Sequence, residues 1–219
     1  MLELKEYTLA ELEEILDSNG KQAIDRKLKS WCISYVSDDI RGKNRHYTIT
    51  AMENPFKVFC ITEMQIDSHT NFDKLRDCFY YFLNDVEFRE MPDEMKEAEM
   101  EKIDKHISRQ SIAKYIKYLS KNEFVLLDSG EYNYYFAYKD YRQFTDIKTY
   151  REAWALYWET EKKVEYTWEA MSEVISKYGG VPRKQPKPEF NVFWVDKINY
   201  LNGLVCDEME KAAHFKLEN

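Results

Sequence analysis

Twice along 219 residues, cations and a glutamine recur in one spacing. Gly20-Lys21-Gln22-Ala23-Ile24-Asp25-Arg26-Lys27-Leu28-Lys29-Ser30-Trp31 aligns without a gap with Ser108-Arg109-Gln110-Ser111-Ile112-Ala113-Lys114-Tyr115-Ile116-Lys117-Tyr118-Leu119, at an offset of 88 residues. Bases match at 21/109, 26/114 and 29/117, Gln22 matches Gln110, and Ile24 matches Ile112. Ile24, Leu28 and Trp31 form one helical stripe; Ile112, Ile116 and Leu119 form another. At about 100° per residue, Gln22, Arg26 and Lys29 point away from the first stripe. Gln110, Lys114, Lys117 and Lys121 point away from the second. A glutamine amide pairs bidentately with adenine, and neighbouring cations suit phosphate or guanine. The chemistry these residues could do is nucleic-acid recognition.

The charge distribution concentrates this chemistry. The net charge is −8, yet residues 19–45 carry seven bases against three acids, and residues 105–121 carry five bases and no acid. Residues 85–104 carry nine acids and three bases. Two basic segments therefore stand in an acidic chain, which leaves nucleic acid open as a partner.

Other chemistry finds little footing. His46, His69, His106 and His214 are scattered, as are Cys32, Cys60, Cys78 and Cys206, without metal-ligand or redox spacing. Gly179-Gly180 is the sole glycine pair and reads as a helix break, not a phosphate loop. The reading is a protein without enzymatic activity, metal or cofactor. No apolar run reaches the length of about 18 residues that a membrane helix needs. The charged N-terminus lacks an apolar signal core, so the expected location is cytoplasmic and no membrane contact is expected.

Helices must present these faces. Thr8 to Leu16 is a short amphipathic helix with Thr8 as its cap, and Pro92 to Lys105 plays the same part before Ser108, the cap of the second basic helix. After the first basic helix, Trp31 to Val36 and Arg45 to Thr50 read as strands joined by a loop over Asp39 to Asn44. After the second, Phe124 to Leu127 and Tyr132 to Tyr138 read as strands joined through Asp128-Ser129-Gly130-Glu131. Asn54 to Ile61 reads as an extra strand or a bridge.

Helix, turn, basic helix and two-stranded hairpin, twice over, resembles the tandem winged helix-turn-helix DNA-binding proteins of phages, plasmids and mobile elements, of the replication-initiator or regulator type. The resemblance covers residues 5–52 and 72–140 and is strongest in Ser108-Arg109-Gln110-Ser111-Ile112. It implies that the basic helices enter the major groove and that the wings touch phosphate. The implied DNA-contacting residues are Lys21, Gln22, Arg26 and Lys29, with Arg41, Lys43 and Arg45 on the first wing. Arg109, Gln110, Lys114, Lys117 and Lys121 are their counterparts in the second module. Asp128 and Glu131 make the second wing acidic, where the family more often carries bases. That module therefore docks by its helix alone, or contacts protein.

From Thr149 the pattern changes. Trp154, Tyr157, Val164, Trp168, Met171, Ile175 and Tyr178 mark one helix of about 30 residues with a coiled-coil-like seam, ended by Gly179-Gly180. A basic proline-containing loop follows at 181–188, then a helix carrying Phe190, Trp194, Ile198, Leu201, Val205 and Met209. The two helices are expected to pair as a hairpin, with docking on the winged modules and dimerisation as open alternatives.

The expected fold is mainly α with small β wings: a first winged module over 1–53, a connector over 54–70, a second module over 71–146 and a helical hairpin over 147–219. The expected function is sequence-specific binding of double-stranded DNA by two recognition helices. The alternative is an inhibitor from a mobile element, anti-CRISPR-like, that binds a nucleic-acid enzyme through winged or acidic surfaces. A dimeric scaffold is a third reading.

Overall fold

The computed structural model describes residues 2–103, 106–139, 141–163 and 168–218. It is a mixed structure of helices and small antiparallel sheets. The chain divides into two units, one holding the residues up to Tyr80 and those from Asp196 on, the other Tyr81–Val195.

In the first unit, β1 (Glu6–Thr8) leads into α1 (Leu9–Ile15), then α2 (Lys21–Ser30) and the hairpin β2 (Ile33–Ser37) and β3 (His46–Met52). Thr8 caps α1 as expected: its hydroxyl accepts from the Glu11 amide while the Glu11 carboxylate accepts from the Thr8 amide at 2.6 Å. These bonds to its charged form hold the Glu11 carboxyl below its ordinary range. The hairpin is three-stranded, in the order β1-β3-β2, because β1 pairs with β3 across Tyr7 and Tyr47. Three residues are too few to give β1 a period in the sequence. Leu12, Ile24 and Leu28 are fully buried, and Trp31, Ile33, Tyr47 and Ile49 close the same core. Each such aliphatic side chain contributes ~2 kcal/mol.

Residues 54–61 are not a strand. Asn54 accepts from the Lys57 amide at 2.7 Å and Pro55 opens α3 (Pro55–Thr62). An Asn-Pro pair before an apolar run is an N-cap and first-turn signature, and it was legible. Next, α4 (Phe72–Asn84) sets Phe79 edge-on to Phe56, with ring centroids 6.1 Å apart.

The second unit continues with α5 (Val86–Glu90), α6 (Asp93–Lys102), α7 (Arg109–Lys121), β4 (Val125–Leu126), β5 (Tyr132–Tyr138) and β6 (Tyr141–Thr145). Pro92 stands at the N-cap of α6, not inside its first turn, and Lys105 lies outside the described residues. Then come α8 (Ile147–Lys163), α9 (Trp168–Tyr178), β7 (Val181–Pro186) and β8 (Glu189–Phe190). Arg89 ties the start of this unit together. Its guanidinium donates to the Phe82 and Leu83 carbonyls at 2.9 and 3.0 Å, and it lies over the Phe190 ring at 4.1 Å.

The expected second wing does not form. Strand β4 pairs with β8, and β5 lies between β6 and β7, so β4 and β5 are not partners. The cause is local. In the first copy a left-handed residue, Cys32 (φ 57°), turns the chain just after α2; in the second, the corresponding turn is at Glu123 (φ 62°), three positions later in register. Helix α7 thus consumes residues that would have been strand and leaves only Val125–Leu126. Segment 127–131 binds β7–β8 instead: the Lys187 amide donates to the Glu131 carbonyl at 2.8 Å, and the Ser129 hydroxyl donates to the Lys187 carbonyl at 2.9 Å. The basic stretch expected as a loop at 181–188 is therefore mostly strand.

Nor is there one long helix after Thr149. Tyr150, at the start of α8, rests on Tyr134 (centroids 4.6 Å apart), and Tyr178, at the end of α9, stacks on Phe136 (5.4 Å). Tyr134 and Phe136 are neighbours on one face of β5, whereas a continuous helix would separate Tyr150 from Tyr178 by roughly 42 Å. Helices α8 and α9 therefore lie side by side and not end to end; Val164 and the Trp168 side chain lie outside the described residues. The last helix, α10 (Val195–Glu218), groups with the first unit. Its Tyr200 packs on Phe59 of α3 at 5.5 Å, and Leu201 and Val205 are fully buried in the first unit. The apolar seam of α10 was legible; which partner it would meet was not.

Candidate nucleic-acid interface

Helix α2 presents the first candidate face. Ile24 and Leu28 are buried, and Lys21, Gln22, Arg26 and Lys29 are exposed, as the periodicity requires. Among the described residues, none of these four side chains makes an ion pair or hydrogen bond with the protein.

Two contacts hold α2 at a set orientation. The Lys27 ammonium donates to the Leu16 and Asp17 carbonyls at 2.5 and 3.2 Å, closing the C-terminal end of α1. Lys27 is thus a structural cation, which explains why it does not share the exposed face. On the other side, Asp25 accepts from the Tyr35 hydroxyl at 2.9 Å and the Tyr47 hydroxyl at 3.3 Å, joining α2 to both strands of the hairpin. Burial and the Asp25 carboxylate push both phenols up to about 12.

A pH prediction follows from that arrangement. A phenol whose pKa is raised on folding stabilises the fold fully below the unfolded value of about 10 and loses that contribution as pH rises through the folded value. The window is therefore pH 10 to 12. Subtracting the alkaline absorbance titration of Tyr47→Phe from that of the parent should give a difference curve centred near 12. A midpoint near the ordinary value of about 10 would contradict the Asp25 arrangement.

Arg41 and Lys43 are exposed in the β2–β3 loop, on either side of Gly42, whose φ of 81° only glycine adopts without strain. Arg45 is different. Its guanidinium donates to the Asp38 carbonyl across the base of the loop and its amide donates to the Gly42 carbonyl, so it shapes the loop. The loop offers two free cations in place of the expected three.

Helix α7 presents the second candidate face. Ser108 caps it, accepting from the Ser111 amide, and Ile112, Tyr115, Ile116 and Leu119 are buried. Gln110, Lys114, Lys117 and Lys121 share the exposed side. Arg109 is committed elsewhere: its guanidinium pairs with Glu94 at 2.9 Å, and its amide donates to Glu97 at 3.0 Å. The acids of α6 thus neutralise the one cation that begins α7.

Only the first basic helix is followed by its hairpin. A shallow groove of about 770 Å³ lies along the lysine face of α7 and is bordered by Leu127. Among the described residues, no group of three or more His, Cys, Asp or Glu is placed to hold a metal ion, and no helix is long and apolar enough to cross a membrane. No family model, curated protein or solved structure matches this chain.

Proposed function

We propose that the protein binds double-stranded DNA sequence-specifically, as a regulator or replication initiator of a mobile element, and that its first unit does the reading. The observation that carries this is the unpaired Lys21, Gln22, Arg26 and Lys29 face of α2, held by Asp25 and Lys27 beside a loop with free Arg41 and Lys43. In this reading α2 lies in the major groove, Gln22 pairs with adenine, and Arg26 and Lys29 meet phosphate or guanine. Arg41 and Lys43 reach the flanking phosphates, as a wing does. The tertiary contacts leave these side chains to solvent and use the neighbouring Lys27 and Arg45 for structure, which separates the two kinds of cation.

Selection from a random duplex pool with the full chain tests this. The expected outcome is a defined motif containing adenine, whose preference at one position relaxes in Gln22→Ala. Binding to that site should fall with salt at a log–log slope of about −4, from four phosphate contacts at roughly −0.9 each. No enrichment by the folded protein would overturn the reading.

A further inference from the structure

The lysine face of α7 sits in a setting unlike that of α2. Lys114, Lys117 and Lys121 repeat every turn along ~10 Å of helix. All three are exposed, and Lys117 and Lys121 have no protein partner among the described residues. They border the groove of about 770 Å³, whose apolar side is Leu127 with Ala113 and Tyr118. At Ala113, Lys117 and Leu127 the groove passes into a second cavity of about 270 Å³. Its lining joins apolar Phe82, Ile116 and Leu127 to charged Arg89 and to Lys96, which pairs with Asp93 at 3.5 Å.

Cations along a rim and a partly apolar hole at one end suit a ligand of two parts. The rim asks for carboxylates spaced by one helical turn. The apolar part of the hole, formed by Phe82, Ile116 and Leu127, accepts a leucine or phenylalanine side chain. A duplex backbone has no apolar group to bury there. The acidic segment 127–131 is bound to β7–β8 and supplies no wing cations for phosphate.

We propose that this groove docks an acidic peptide segment of a partner protein, carrying a bulky apolar anchor among glutamates or aspartates. The site is separate from the α2 face and does not depend on the DNA reading. The chain then has two cationic recognition surfaces, one for a nucleic acid and one, with an apolar pocket beside it, for a protein.

The test is selection of a displayed random 12-residue peptide library on the full-length protein, followed by titration of the fluorescently labelled consensus peptide. The expected consensus has two or more acids within one turn or two of a leucine or phenylalanine. Its affinity should fall at least tenfold in the triple variant Lys114→Glu/Lys117→Glu/Lys121→Glu. It should fall severalfold in Leu127→Ala, which keeps every charge, and stay unchanged in Arg26→Glu/Lys29→Glu. Circular dichroism checks that each variant folds. Absence of an acidic-apolar consensus overturns the proposal, as does a consensus peptide that binds the triple variant equally well. The same holds if the triple variant selects no peptide but loses duplex affinity as much as the α2 variant: α7 is then a DNA helix.

Discussion

The double charge reversal Arg26→Glu/Lys29→Glu is expected to weaken binding to the selected duplex by about 100-fold or more at moderate salt. Each cation makes a charge-assisted contact worth ~1.5 kcal/mol, and two lost contacts sum to ~3 kcal/mol, or about two decades in affinity. The glutamates then add repulsion. The log–log salt slope should shrink by about two units, since two fewer counterions are released per complex. Thermal stability should barely change, because both side chains are exposed and unpaired while the buried stripe and the Asp25 contacts are untouched. An affinity loss with an unchanged salt slope would mean that the variant had perturbed the fold. Unchanged affinity would remove α2 from the interface altogether. The same reversal at Lys27 would do something else: it would strip the cap from α1 and lower stability first.

The largest stability effect is expected at Gly180. An alanine there would place its Cβ 2.8 Å from the backbone nitrogen and carbonyl carbon of Ala137 and 2.9 Å from its oxygen. These are main-chain atoms of β5, paired with β7 from the next residue on, so they move only if the sheet does. Such overpacking costs about 3 kcal/mol, and the thermal midpoint of the second unit should drop by roughly 10 °C. Gly42→Ala supplies the comparison. Its Cβ meets nothing within 4 Å, so its cost is only the strain of φ at 81°, ~1 kcal/mol. If the two variants melt alike by calorimetry, the close approach of Gly180 to β5 is wrong. In the sequence Gly180 looks like the second half of a helix stop; its role as the contact point of two strands is visible only when Ala137 is beside it.

That glycine illustrates the division between what was legible and what was not. The spacing of Ile24, Leu28 and Trp31, and of Ile112, Ile116 and Leu119, gave both basic helices and their exposed cations, because helical periodicity is written within one segment. The caps Thr8 and Ser108 were legible for the same reason, since capping links residues three apart. Asn54-Pro55 carried an equally local signal for α3, which the apolar run after it obscured. By contrast, Arg45 and Arg109 look like free cations in the sequence, and nothing nearby in the chain says that Asp38 and Glu94 will hold them.

Sequence alone determined the repeat, the two amphipathic helices, the first hairpin and the sign of the charge on each face. Tertiary structure alone decided the rest. It paired β4 with β8 and β5 with β7, laid α8 and α9 side by side, and placed α10 with the first unit. The physical reason is separation along the chain. A helix closes its hydrogen bonds within four residues, so its face is set where it is made. A strand leaves half its hydrogen bonds and one face open, and its partner is whichever distant segment fits once the units have packed.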